Sequence, residues 1–498
     1  MVRTSSKVKA SATRLLRSLC SLAPISIAFV STSGFAVPTS LATSSAGPTR
    51  RNTSPQRKTS AVDSDSLSIM EGACSTSTSN KHSYRSIGHP SAPEHLKLKQ
   101  VIVICRHGDR APVASNLGTL LNDGPKSVSL WSSKLPATEE VKRWGEAFPS
   151  RVLGDNGGQT VEEILASEGP WGQLTTRGAE ELLLVGEGLR DVIDGSVVGG
   201  GSGGRLFPAG LDAEKSSIFV RGTRIKRTHH SAQNLLFGLG LSGGVNLYVR
   251  PNERETLWPS QNNRGRQNDL IAEANAANEW PGQAELKRDT AKMIGLEEEE
   301  LKWTTVREVV SCFEAHGVPL PDNAIGSGLV RSVVEYTGWM WGRWFGNREM
   351  VRLSLGPFLS EVLTIMGARG DEEGVPEAGM PSRPKLAIFS GHDSTLVPIL
   401  AALNIYNDDW PPYASYISLD VAEDEKGATL VRLVYNGQEA LLPGAAGPWI
   451  PLADLAHRLE DVMPREEDSA VNGSPQQEGS SEISAAVDNG KGKNNKAV

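Results

Sequence analysis

VIVICRHGDRAPVA, residues 101–114, breaks off an apolar, β-branched run and places two arginines, a histidine and an aspartate within five residues, with Pro112 close behind. Continuous apolar runs of this length belong to strands buried on both faces, as in an α/β sheet. KLAIF (385–389) repeats the pattern and ends in SGHDSTL (390–396). SIFV (217–220) does so again and runs into Arg221 in VRGTRIKRTHHSAQ (220–233). YISLDV (416–421) and TLVRLVY (429–435) alternate better and read as later strands towards an edge.

Helical spacing fills the gaps. TTRGAEELLLVGEGLRDVI (175–193) and THHSAQNLLFGLG (228–240) carry apolar residues at i, i+3 and i+4. Long helix-like segments occupy 270–350, including the Trp-rich GWMWGRWF (338–345). The predicted fold class is α/β, a mostly parallel central sheet flanked by helices with an inserted helical cap subdomain.

In an open α/β sheet, ligands bind beyond the carboxyl ends of the strands. Three such ends would offer Arg106, His107, Arg110, Arg221, His392 and Asp393. Arginine suits multidentate recognition of phosphate oxygens. A neutral histidine oriented by a backbone group can attack phosphorus. A protonated carboxyl can supply the proton that a leaving alkoxide needs. Either short motif alone could be a surface loop or a helix cap; their coincidence at strand ends points to phosphoryl chemistry.

Here the sequence resembles a family. RHGDRAP resembles the R-H-G-x-R-x-P signature of the histidine acid phosphatases, SGHDSTL their distal His-Asp motif, and VRGTRIKRTHHSAQ the segment with their third phosphate-binding arginine. GQLTTRGAEELLLVGEGLR (172–190) is similar to their G-x-L-T-x-x-G helix, and WPPYAS (410–415) to the stretch after His-Asp. The resemblance implies a phosphoglycerate mutase-like fold and an acid phosphatase working through a phosphohistidine. His107 would be the nucleophile and Asp393 the proton donor. Arg106, Arg110, Arg221 and His392 would bind the phosphate. No metal and no cofactor is implied. FEAHGVPLP (313–321), GPFLSEVLTIM (356–366) and LVYNGQEALLPG (433–444) look like the type 6, lysophosphatidic acid phosphatase branch, which implies a lysophospholipid substrate and a mitochondrial address. Trp341 and Trp344 suit a lipid tail or the packing of a cap. Asp109 fills the motif's variable slot and is given no role. Two rivals stand beside this reading: a mutase-like phosphotransferase, and an inactive module that only binds phosphorylated ligands.

The predicted domains are a cleavable targeting segment (1–62), a disordered linker (63–95), the catalytic domain (96–464) and a disordered tail (465–498). Cap insertions are expected at about 115–170 and 265–350. Residues 1–62 contain no Asp or Glu among many Ser, Thr and basic residues, the composition of an organelle transit segment. LCSLAPISIAFV (19–30) followed by SGFAVP (33–38) also resembles a bipartite plastid leader, and a secretory signal is the alternative. GGGSGG (199–204) reads as a surface loop, and His82, His89 and His95 as solvated linker histidines. A net charge of −7 argues against a general nucleic-acid partner. Four cysteines, with no CxxC, fit a reducing compartment better than a disulfide framework. The expected mature protein is a monomer without a transmembrane segment, acting on a small-molecule phosphomonoester.

Overall fold

The computed structural model describes residues 88–154, 160–165, 169–194, 206–369, 380–381 and 383–469. The targeting segment, residues 63–87 of the linker, the glycine run 199–204 and the tail from residue 470 lie outside the described residues.

The five apolar runs form β1 (Lys97–Arg106), β3 (Ile218–Gly222), β5 (Leu386–Gly391), β6 (Tyr416–Glu423) and β7 (Thr429–Tyr435). Four short strands join them: β2 (Ser150–Val152), β4 (Leu247–Val249), β8 (Gln438–Glu439) and β9 (Trp449–Pro451). None of these is long enough to show a period of two, so the sequence does not announce them. The sheet order is β2-β4-β3-β5-β1-β6-β7-β8, with β9 on β7. Strands β2, β4, β3, β5 and β1 are parallel, and β6 to β9 extend the sheet antiparallel. The sheet is therefore mixed, with its parallel half carrying the charged strand ends.

Side-chain alternation assigns the two layers. Ile102 and Ile104 of β1 share a core with Phe219, Phe389 and the helices Leu329–Phe345, Arg348–Ile365 and Asp393–Ala402. Val101, Val103 and Cys105 face the other way, onto the helices Thr176–Asp194 and Lys226–Gly238. Both layers are built of buried apolar side chains, which hold the sheet between them. The register then places Arg106 opposite Gly391 and Gly222 opposite Ser390, which brings the residues after β1, β3 and β5 to one edge.

Several sequence expectations are corrected. The stretch 115–170 is not a purely helical insertion, because β2 lies within it and pairs with β4. Residues 88–95 are not linker. His89 is buried with Nε2 2.9 Å from Asp420 Oδ2, and Arg432 donates to the Pro90 and Ser91 carbonyls. That burial requires partners, since an unsatisfied polar group inside would be costly. The tail begins later than 465, for Glu466–Ser469 forms a helical turn whose Asp468 pairs with Arg352. Trp341 and Trp344 are fully buried in the cap core and line no open surface. No helix among the described residues is long and apolar enough to cross a membrane.

Candidate active site

The loop after β1 is held by backbone and side-chain bonds on every side. The His107 amide donates to the Gly391 carbonyl (3.0 Å), the Ala414 amide to the His107 carbonyl (3.1 Å), and the Gly108 amide to Ser231 Oγ (3.1 Å). The helix Thr176–Asp194 begins hard against it. A Cβ on Gly108 would sit 2.2 Å from the Gly178 carbonyl oxygen, and one on Gly178 would sit 2.1 Å from the Asp109 carbonyl oxygen. These two glycines are therefore required by close approach of backbones, which ties the G-x-L-T-x-x-G stretch to the R-H-G motif.

Asp109 acquires a part in this joint. Its Oδ2 accepts a hydrogen bond from Thr175 Oγ1 and contacts His316 Nε2 on the cap helix Trp303–His316. Its amide donates to Glu181 Oε2 at 2.8 Å. Burial, with Asp109 nearby, pushes the Glu181 carboxyl up to about 7. Asp109 thus joins the loop after β1, the residue that leads into one helix and the end of a cap helix.

His107 is 1% exposed, and its Nδ1 lies 2.8 Å from the Gly108 carbonyl oxygen. A carbonyl only accepts, so Nδ1 carries the hydrogen and Nε2 keeps its lone pair. Burial, then Arg227, Arg110, His392 and Arg106, hold its pKa well below the usual histidine value. The ring is neutral. It meets the His392 ring edge-on at 5.4 Å between centroids and the Tyr413 ring at 5.9 Å. His392 Nε2 lies 2.9 Å from Thr223 Oγ1, and its ring stacks on Trp258. Burial and Arg227 keep His392 neutral as well.

The arginines do not all sit where the sequence put them. Arg106 reaches the site, with Nη2 2.8 Å from Asp393 Oδ2, Nη1 donating to the Pro411 carbonyl (2.6 Å), and its plane 4.3 Å over the Tyr413 ring. Arg110 reaches it too and pairs with Glu308 of the cap helix. Arg221 does not. It is buried between Phe358 and Phe389, donating to Glu255 (2.8 Å), Thr256 (2.9 Å) and Glu361 (2.9 Å). Its place is taken by Arg227, six residues on, in the first turn of the helix Lys226–Gly238. Arg227 bears on both histidines more than any other charged group does. Burial and Arg110 lower its own pKa to about 9.

A fourth arginine, Arg307, enters from the cap helix with Nη2 3.6 Å from Asp393 Oδ2. Only its sequence neighbourhood in a helical segment was legible; nothing there marked it as a site residue. Asp393 Oδ1 accepts from the Ser394 amide at 2.9 Å. Burial alone would raise the Asp393 pKa, but Arg106, Arg307 and Arg110 outweigh it and hold the group ionised.

Two observations say what the cluster can take. Nε of Arg106, Arg110, Arg227 and Arg307 is buried in each case with no hydrogen-bond acceptor. Arg106 Nη2, though in ion contact with Asp393, makes no aligned hydrogen bond either. Buried donors of this kind call for an acceptor, and charged ones most of all. Four guanidiniums against the carboxylates of Asp393 and Glu308, beside neutral histidines, leave an excess of two positive charges. A phosphomonoester dianion supplies two negative charges and an array of acceptor oxygens.

The chain has known relatives over most of this region. Residues 97–312 and 335–436 match the histidine phosphatase superfamily (branch 2). The chain is 26% identical over 389 residues to counting factor 60 of Dictyostelium discoideum, covering 74% of this chain and 86% of that protein. It is 26% identical over 381 residues to lysophosphatidic acid phosphatase type 6 of Bos taurus, covering 72% and 81%. It is 25% identical over 397 residues to human prostatic acid phosphatase, covering 74% and 86%. Among solved structures, a Hafnia alvei phytase in complex with tartrate shares the fold at a TM-score of 0.50 and 12% identity, covering 75% of this chain and 98% of that one. With most of its length matched, strand ends and helix starts included, the chain belongs to the histidine phosphatase superfamily, branch 2.

Proposed function

We propose that this phosphatase hydrolyses phosphomonoesters through a phosphohistidine on His107. The observation that carries the reading is the neutral His107 ring, with Nδ1 fixed on the Gly108 carbonyl and Nε2 free, among arginines with two charges to spare. Arg106, Arg110 and Arg227 hold the phosphate oxygens, and His392 adds a contact. Nε2 of His107 attacks phosphorus as the ester P–O bond breaks, and the departing oxygen takes a proton from Asp393. Charge on the equatorial oxygens is stabilised by the guanidiniums already in place. Water then attacks the phosphohistidine, gives its proton to the Asp393 carboxylate, and inorganic phosphate leaves.

The substrate reading is a lysophosphatidic acid-like lipid phosphate. The name of the type 6 relatives supports it, and so does a half-buried aromatic pair, Trp410 and Tyr413, beside the site. Rapid alkaline quench with 32P-labelled p-nitrophenyl phosphate, which preserves an alkali-stable and acid-labile phosphohistidine, tests the mechanism. Acid-labile label on wild-type protein and none on His107→Ala is expected; label absent from both overturns it. Phosphate release from lysophosphatidic acid, phytate, sugar phosphates and phosphotyrosine tests the substrate.

A further inference from the structure

Asp393 Oδ2 lies between two guanidiniums from different parts of the fold. Arg106 Nη2, from β1, is 2.8 Å away, and Arg307 Nη2, from the cap helix, is 3.6 Å away. One short segment holds both arginines by their faces and leaves their N–H edges towards the carboxylate. Arg307 lies 3.8 Å over the Trp410 ring, which itself packs edge-on against the buried Trp341. Arg106 lies over Tyr413 and donates to Pro411. Arg110 after β1, Arg227 from its helix and His392 beside it also bear on Asp393. A carboxyl so placed is held as an anion, yet the proposed reaction asks it to hand over a proton.

We propose that Arg307 is a positioning residue that, with Arg106, keeps Asp393 ionised in the free enzyme and turns to the substrate phosphate when it binds, so that Asp393 gains its proton only in the complex. This rests on the reading of Asp393 as the proton donor. The arriving dianion supplies acceptor oxygens to Nε of Arg106 and Arg307, which lack acceptors. With both guanidiniums spent on the phosphate, burial dominates at Asp393 and favours its neutral form. The proton comes from solvent, moves to the leaving oxygen, and is replaced from the attacking water.

Phosphate and Asp393 then compete for Arg307, and competition can be measured without turnover. Sulfate is a dianion that does not titrate between pH about 4 and 8, so its affinity is read by calorimetry on the full chain. Asp393→Asn should tighten sulfate binding at pH 7, because it removes the competing charge. In the Arg307→Gln background the same change should tighten it less, by about five- to tenfold. Equal gains in both backgrounds would overturn the proposal. Arg307→Met, which keeps the stem on Trp410, replaces Arg307→Gln in the cycle if that variant does not fold, with the same two outcomes. Release of phosphate from p-nitrophenyl phosphate by wild-type protein is scored separately. Turnover with no coupling removes the role of Arg307 alone, and coupling with no turnover removes the phosphatase reading alone.

Discussion

His107 Nδ1 lies 2.8 Å from the carbonyl oxygen of Gly108, the next residue in the chain, and this contact leaves Nε2 as the ring nitrogen with a free lone pair. With the proton pinned on Nδ1, Nε2 is a lone-pair nucleophile at every pH at which the ring stays neutral. His107→Ala should remove turnover altogether. His107→Asn should do the same while keeping most of the polar packing, and alkaline-quench labelling separates both from wild type.

Asp393 predicts a dependence on the leaving group. Asp393→Asn should slow release of alkyl alcohols by about 10²- to 10⁴-fold, the usual worth of general acid catalysis, and slow release of p-nitrophenolate far less. The check is a plot of log kcat/KM against leaving-group pKa. Equal loss across the series would remove Asp393 from that role.

Arg227 and Arg221 should fail in different ways. Arg227→Gln removes a guanidinium beside both histidines and should cost about 10²- to 10³-fold in kcat/KM, comparable to losing one oxyanion donor. Arg221→Gln leaves the buried Glu255 without its 2.8 Å partner and should cost about 3–5 kcal/mol of stability. Urea unfolding and steady-state kinetics on both variants distinguish them.

The joint at Asp109 should show in stability before it shows in rate. Asp109→Asn disturbs contacts with Thr175 and His316 at once and should cost about 1–3 kcal/mol, as for a buried polar group left mismatched. Thermal melts of Asp109→Asn, His316→Gln and the double variant measure the coupling; strict additivity would count against the joint.

Buried His229 should make the fold less stable as the pH falls. Burial lowers the His229 pKa from the model-peptide value to about 3, with Nδ1 held by Ser150 Oγ at 2.8 Å. Between pH about 6.5 and 3 the unfolded chain binds a proton at this residue that the folded chain refuses. Its contribution to stability therefore falls as pH falls through that window. Replacing His229 by Gln should lessen the slope between pH 4 and 6 by up to about 1.4 kcal/mol per pH unit. Urea midpoints at pH 7, 5.5 and 4 give the slope directly.

The five long strands and the two motifs at their ends were legible in the sequence because they are local. A buried parallel strand must be a continuous apolar run, and the residue that follows it must emerge at the carboxyl edge. Arg106, His107, Arg110, His392 and Asp393 follow from that rule alone. VRGTRIKRTHHSAQ, in contrast, offers Arg221, Arg224, Lys226 and Arg227, and local pattern cannot choose among them. The strand ends at Gly222 and the helix starts at Lys226, so Arg221 is drawn into the sheet layer to meet Glu255 and Glu361, while Arg227 leaves the first turn towards His107. Arg307, Glu308 and His316 lie about two hundred residues from the motif they serve, on a helix whose periodicity shows only that it packs. Their roles, and that of Asp109, come from the docking of the cap on the sheet edge. The sequence alone determined the charged ends of the buried strands and the place of His107 on one of them; tertiary packing decided which arginines face it, because a guanidinium goes where burial leaves it a carboxylate or an anion to pair with.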